Sequence, residues 1–278
     1  MSAHTIRKKG VRKALFMALA FVVVAVAILP NAWLALTSLK TEREAFTMPP
    51  QLIFRPIVDN YVTIFTRFNF DNYLVNSLMV GLLSTAGALL LGTPAAYAMA
   101  RFRFTGKRQL SLYVLSTRIA PPVLVILPMY LIFGSLGLLD NYLSLAAVQI
   151  AYNLAFVFWM MSSFFGELPE ELDDAAQVDG CSRFRAFWRI DLPIVAPGLA
   201  ATAIFIFVQS WNEFITALVF TGNATKTLPV AITSFMTAQG TLWGPMAAAG
   251  TTVMLPMLVF GLAVQRYLVR GLTMGAIK

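Results

Sequence analysis

Residues 167–193 read ELPEELDDAAQVDGCSRFRAFWRIDLP, and the first fourteen hold six of the 13 acidic residues of a chain whose net charge is +8. The stretch lies between two long apolar runs, so its acidity has to be explained by where it sits. The 278 residues are 58% hydrophobic and only 12% charged, against about 25% charged residues in a soluble domain. A soluble fold of this size would lack a polar exterior, and the composition implies an integral membrane protein. The single cysteine, Cys181, excludes an intramolecular disulfide. With His4, near the N-terminus, as the only histidine, the sequence argues against a His/Cys metal centre and against a Ser-His or Cys-His hydrolase. No GxxxxGK[ST] phosphate loop is present, so ATP hydrolysis is not expected on this chain.

A spanning helix needs about 20 predominantly apolar residues. Six stretches qualify: about 14–36, 74–99, 111–133, 143–165, 195–220 and 246–265. The first follows Arg7, Lys8, Lys9, Arg12 and Lys13, as a signal peptide would. It is too long for a signal core, however, and no small-x-small cleavage site comes after it, so a retained helix is expected. The third contains Arg118 and the Pro121-Pro122 pair. With the N-terminus inside, internal segments carry 15 Lys and Arg residues and external ones carry five. The positive-inside rule then places residues 1–13, the loop at 166–194 and the tail at 266–278 in the cytoplasm. The longest external segment, about 37–73, contains the Pro-rich MPPQLIFRP, which suggests an extended path.

Within the acidic loop, Pro169 suits a first helical turn. Glu170, Glu171, Asp173 and Asp174 then complement the positive end of a helix dipole, and Gly180 suits a left-handed stop. In the next segment, SRFRAFWRIDLP, Phe184, Phe187, Trp188 and Ile190 are spaced for one helical face, with Pro193 as the expected stop. Small Ala175 and Ala176 and the aromatic face suit entry into a groove on another protein. Asp179, near the helix end, runs against the dipole and is expected to meet a basic group.

The spacing Asp174-Ala175-Ala176, three residues, Gly180, nine residues, Ile190-x-Leu192-Pro193 resembles the EAA loop of ATP-binding-cassette (ABC) importer permeases, with Asp in place of the family's Glu. The ending QRYLVRGLTMGAIK, NYLVNSL at 72–78 and SWNEF at 210–214 are similar to carbohydrate-importer permeases of the MalG-like kind. The resemblance implies an all-α integral membrane protein with six transmembrane helices, the MetI-like type I importer permease fold with a cytoplasmic coupling helix. It implies a bacterial inner-membrane location and four kinds of partner: a second, MalF-like permease subunit, two ATPase subunits that bind the ATP and Mg, an extracytoplasmic solute-binding protein, and membrane lipid. No cofactor is expected on this chain. By the same resemblance residues 169–180 dock in an ATPase cleft, and Asp173, Asp174, Asp179 and Gly180 belong to that surface together with Ile190, Leu192 and Pro193.

Ionisable residues inside spans are functional candidates, because burying them is costly. Glu213, beside Trp211 and Asn212 in the fifth span, and Arg118 in the third are the two that stand out. Asn212 and Glu213 offer donors and acceptors to hydroxyls, and Trp211 offers a face to the C–H side of a sugar. The alternatives are a Glu213–Arg118 ion pair, or hydrogen bonds by which Glu213 fixes its own helix. STRIAPPVLVILPMYLIF resembles polyol permeases, which points to a sugar or sugar alcohol as solute. The rival class is an ion-driven secondary transporter or channel using Arg118 and Glu213. The cluster Arg101, Arg103, Lys107 and Arg108 needs no role beyond contact with anionic headgroups, and its placement at membrane edges argues against nucleic acid.

Overall fold

The computed structural model describes residues 3–119, 121–238 and 240–274, and its elements run in chain order. They are α1 (Ala3–Ser38), α2 (Glu42–Ala45), α3 (Asp59–Thr66), α4 (Phe70–Arg101), α5 (Lys107–Thr117), α6 (Pro122–Ser135) and α7 (Tyr142–Gly166). Next come α8 (Glu171–Val178), α9 (Arg183–Ala186), a π-helical turn at Phe187–Asp191, α10 (Leu192–Ile194), α11 (Ala196–Trp211), α12 (Ile215–Phe220), α13 (Leu228–Ile232) and α14 (Trp243–Met274). A small antiparallel hairpin, β1 (Met236–Thr237) with β2 (Gly240–Thr241), interrupts an otherwise helical chain.

Among the described residues, four helical stretches are long and apolar enough to cross a membrane unbroken: Leu15–Ser38, Phe70–Arg101, Tyr142–Gly166 and Trp243–Leu262. Leu15, Phe16, Leu19 and Phe21 on α1 all stand more than half exposed, a surface suited to lipid rather than water. The third and fifth expected spans differ from the continuous helices that their apolar runs suggest. Between α5 and α6 the first helix ends at Arg118, and Pro121, which precedes Pro122, takes an extended ψ of 131° that a helix cannot continue. The fifth run divides into α11 and α12 at Asn212–Phe214. The tail expected at 266–278 continues α14 as far as Met274; residues 275–278, and the side chains beyond Leu262, lie outside the described residues.

The chain divides into two compact units, Met1–Phe70 with Ser234–Leu255, and Asp71–Thr233 with Pro256–Lys278. In the first unit the buried Asn60 amide donates to the carbonyls of Ser38 and Lys40, both at 2.8 Å, tying α3 to the end of α1. Lys40 is itself buried, its ammonium 4.8 Å from the Trp33 ring centre and 5.0 Å from that of Phe54. Cation–π attraction there replaces the hydration that Lys40 loses. The MPPQLIFRP segment forms no helix or strand, as its prolines dictate.

In the second unit, helices approach closely where one contributes glycine. A methyl group on Gly92 of α4 would lie 2.7 Å from Val157 Cβ of α7, so only glycine permits this packing. One apolar cluster gathers Ala88, Ala96, Tyr97, Val157, Phe165, Phe187 and Ile206; a second gathers Val80, Ile126, Leu145, Val148, Ala217 and Phe220. The loop after α12 is pinned by Asp140, which accepts from the amides of Gly222, Ala224 and Thr225 and from Thr225 Oγ1. Burial pushes the Asp140 carboxyl up, but these hydrogen bonds outweigh it and hold it at about 2.

Candidate functional site: an acidic helix and a polar cavity

The acidic stretch forms α8, starting after Glu170, and ends as its composition requires. Gly180 adopts φ +81°, Gly180 N donates to Gln177 O at 3.0 Å and Cys181 N to Ala176 O at 2.9 Å. These two bonds satisfy carbonyls that the helix end would leave open. Glu171, Asp173 and Asp174 occupy the first turn, where the dipole favours negative charge. Ala176 is buried, while Glu170, Glu171, Asp174, Ala175, Val178, Asp179 and Gly180 are exposed. Val178 is 88% exposed, an apolar side chain presented among acids that charge patterning alone does not single out. Asp179 makes no ion pair among the described residues.

Asp173 is turned inward. Its Oδ2 lies 2.6 Å from Arg101 Nε, and Tyr97 donates its hydroxyl proton to Oδ1 at 3.2 Å. Arg101, the last residue of α4, also donates to Leu168 O at 3.0 Å and sits 3.6 Å from Asp191 Oδ1. Its side chain is only 7% exposed. This corrects the expectation that Arg101 serves, with Arg103, Lys107 and Arg108, as a headgroup contact. A cation at a helix C-terminus meets an acid at a helix N-terminus, so each dipole reinforces the pair. Asp191 is fully buried, and neither of its carboxylate oxygens has a hydrogen-bond partner among the described residues. Burial, then the charge of Asp173, push its carboxyl up to about 6 against the pull of Arg101. Arg103 and Glu170, by contrast, pair at 3.7 Å with both side chains largely in solvent.

The expected single aromatic face beyond Gly180 does not form. The π-helical turn at Phe187–Asp191 inserts an extra residue and rotates the chain beyond it. Phe187 enters the core, its ring 4.8 Å from that of Tyr97, while Phe184 and Trp188 stay 73% and 48% exposed and Ile190 is half-buried. Pro193 does not stop the helix. It lies at the start of α10, immediately after the wide turn that accommodates its ring and its missing N–H, and Leu192 precedes it. The chain then bends by 77° between Arg183–Ile194 and Ala196–Trp211.

The membrane candidates fall apart into two groups. Arg118 and Glu213 line one cavity of about 370 Å³ with Gln149, Tyr152, Asn153 and Gln209, but no ion pair joins them. Glu213 instead accepts from Thr216 N at 3.0 Å, Ala217 N at 3.1 Å and Thr216 Oγ1. Its carboxylate thus caps the restart of the helix at α12 and explains the break in the fifth span. Trp211 does not join the cavity: it is 1% exposed, packed 5.7 Å from the Phe207 ring. Asn212 is exposed and donates to Val208 O at 2.8 Å. Adjacent helical residues diverge by about 100°, whereas i, i+3 and i+4 share a face. That spacing places Gln209, Ser210 and Glu213 together, and Gln149 with Tyr152 and Asn153. A search for polar residues at helical spacing inside apolar runs would have found them.

Lipid-facing helices, an exposed acidic helix and a cavity lined by polar side chains together describe a mostly helical membrane protein with a surface for a partner and a polar site within it. Residues 88–274 match the family described as binding-protein-dependent transport system inner membrane component, and the chain belongs to that family. It is 36% identical over 278 residues, 100% of both chains, to "Probable ABC transporter permease protein y4oR" of Sinorhizobium fredii. It is 37% identical to the trehalose transport system permease protein SugB of Mycobacterium tuberculosis, over 97% of this chain and 99% of that one. A chain of a bacterial ABC transporter that imports the acidic polysaccharide alginate has the same fold, with a TM-score of 0.77, 18% identity and coverage of 96% and 99%. The chain is therefore a permease subunit of an ATP-driven, binding-protein-dependent importer, and ATP hydrolysis belongs to a separate subunit. The secondary-transporter alternative falls with that membership.

Proposed function

We propose that the chain forms half of the membrane pathway for a sugar or sugar alcohol, with a second permease subunit, two ATPase subunits and an external solute-binding protein. Both termini and α8 face the cytoplasm, in keeping with the distribution of Lys and Arg along the sequence. The similarity to a trehalose permease over almost the whole chain supports the solute class.

The observation that carries the coupling role is the division of α8 into two faces. One face is fastened to α4 by Arg101 and Asp173; the other presents Glu171, Asp174, Ala175 and Val178 to a partner. Ala175 lets a second backbone come close, and Val178 offers an apolar anchor. A pull on this helix reaches α4 through the ion pair and reaches α11 through the π-turn. Phe184 and Trp188 are exposed as well and offer further apolar anchors. A Val178→Cys variant on a Cys181→Ser background, in the assembled importer, should crosslink to the ATPase subunit in a nucleotide-dependent manner. Crosslinking to none of the ATPase subunits would overturn the docking.

A further inference from the structure

We propose that this subunit carries its own solute subsite, built for one or two neutral polyhydroxylated rings, in the cavity between α7 and α11–α12. The proposal rests on the importer reading above and deepens it, since an importer could leave all solute contact to its partner permease.

Gln149 is the first argument. It is 2% exposed, and its Oε1 accepts from Ser84 Oγ at 2.9 Å, which fixes the orientation of the amide. Its Nε2 is a buried donor with no partner among the described residues, and the side chain lines the cavity. A buried donor without an acceptor is unfavourable unless something in the cavity accepts from it.

The second argument is charge. Glu213 is held rigid by three donors at the start of α12, yet a carboxylate has about four acceptor positions, so it can still accept. Arg118 lies 5.0 Å from the Phe156 ring centre, and no carboxylate pairs with it among the described residues. An anion in the cavity would meet Glu213, and a cation would meet Arg118. A hydroxyl satisfies both: its proton goes to Glu213, and its oxygen accepts from Arg118 or from Gln149 Nε2. Vicinal hydroxyls on a ring or chain repeat that pattern, and Gln209 offers a further donor and acceptor.

Size is the third. A volume of about 370 Å³ falls at the small end of the ligand-pocket range of roughly 300–1,000 Å³ and suits one or two sugar rings, not a long chain. Part of its wall is set by Asn153 Nδ2, which donates to Ser210 Oγ at 3.4 Å with both residues buried.

The test uses the complete importer with its binding protein in proteoliposomes, with labelled trehalose, maltose, sorbitol and, as the anionic probe, glucuronate. The wild type should carry at least one of the three neutral solutes and not glucuronate. For the solute carried, Gln149→Leu should lower uptake by about tenfold or more, as expected where a buried polar group loses its ligand partner, and Arg118→Leu, at an exposed position of the cavity wall, should lower it as well. Subunit co-purification and stimulation of ATP hydrolysis by the loaded binding protein should remain. Gln209→Leu, at an exposed position, should lower uptake even if Gln149→Leu fails to assemble. Wild-type uptake of a neutral solute that none of these variants reduces would overturn the subsite alone. Uptake of glucuronate in preference, or of no probe, would overturn the proposed solute class and the subsite with it.

Discussion

Arg101 Nε lies 2.6 Å from Asp173 Oδ2, joining the last residue of α4 to the first turn of α8 with both side chains largely shut off from solvent. Asp191 Oδ1, 3.6 Å from the same guanidinium, adds a second buried carboxylate. One cation therefore fastens the acidic helix to a spanning helix while two acids compete for it.

Replacing Arg101 by Met should destabilise the subunit by about 3–5 kcal/mol, because both acids would be left buried without a counter-charge. Arg103→Ala should cost no more than about 1 kcal/mol, since its pair with Glu170 is largely exposed. Thermal unfolding of the purified importer checks both. Adding Asp173→Asn and Asp191→Asn to Arg101→Met should recover most of the lost stability, because the charges that needed Arg101 would be gone. Equal effects at positions 101 and 103 would contradict the clasp.

The Asp191 carboxyl titrates in the folded protein at about 6, above its ordinary value of 3.8. The folded state then binds the proton more tightly than the unfolded state. Its contribution to stability is complete below the ordinary value and is lost as pH rises through about 6. Asp191→Asn should raise stability at neutral pH and flatten the change between about pH 4 and 6. Melting temperatures across that range measure it, and an unchanged slope in the variant would count against the assignment.

At two glycines of α4 the cost of an added methyl group should differ. At Gly92 it meets Cβ of Val157, a stiff branched atom close to the α7 backbone; at Gly87 it meets Cδ1 and Cγ1 of Ile150, the outer part of a side chain that can turn about its own bonds. Gly92→Ala should therefore cost about 1–3 kcal/mol through overpacking and Gly87→Ala clearly less. The same unfolding assay distinguishes them.

Much of this was legible in the sequence, because membrane helices and helix stops arise from composition. The acidic stretch, its stop at Gly180 and four unbroken spans rest on local rules of hydropathy, dipole and backbone freedom. Pairing was not legible: Arg101 looks like any juxtamembrane cation until Asp173 and Asp191, more than 70 residues away, close around it. Nor could spacing alone foresee the π-turn, which sends Phe187 into the core and leaves Trp188 outside. Around the cavity, reading neighbours along the chain grouped Trp211 and Asn212 with Glu213. Helical geometry groups Gln209 and Ser210 with it instead.

The central claim is that the exposed face of α8 is where ATP-driven motion enters the membrane helices. The most direct measurement is uptake of whichever labelled solute the wild type carries, by proteoliposomes containing the complete importer, its binding protein and ATP, comparing the wild type with Ala175→Arg. Ala175 is exposed, so the substitution leaves the fold intact while blocking close approach of a partner. The account predicts that ATP-dependent uptake is lost, with the ATPase subunits either released or no longer stimulated by loaded binding protein. Wild-type uptake by Ala175→Arg, with the ATPase still bound and stimulated, would contradict it.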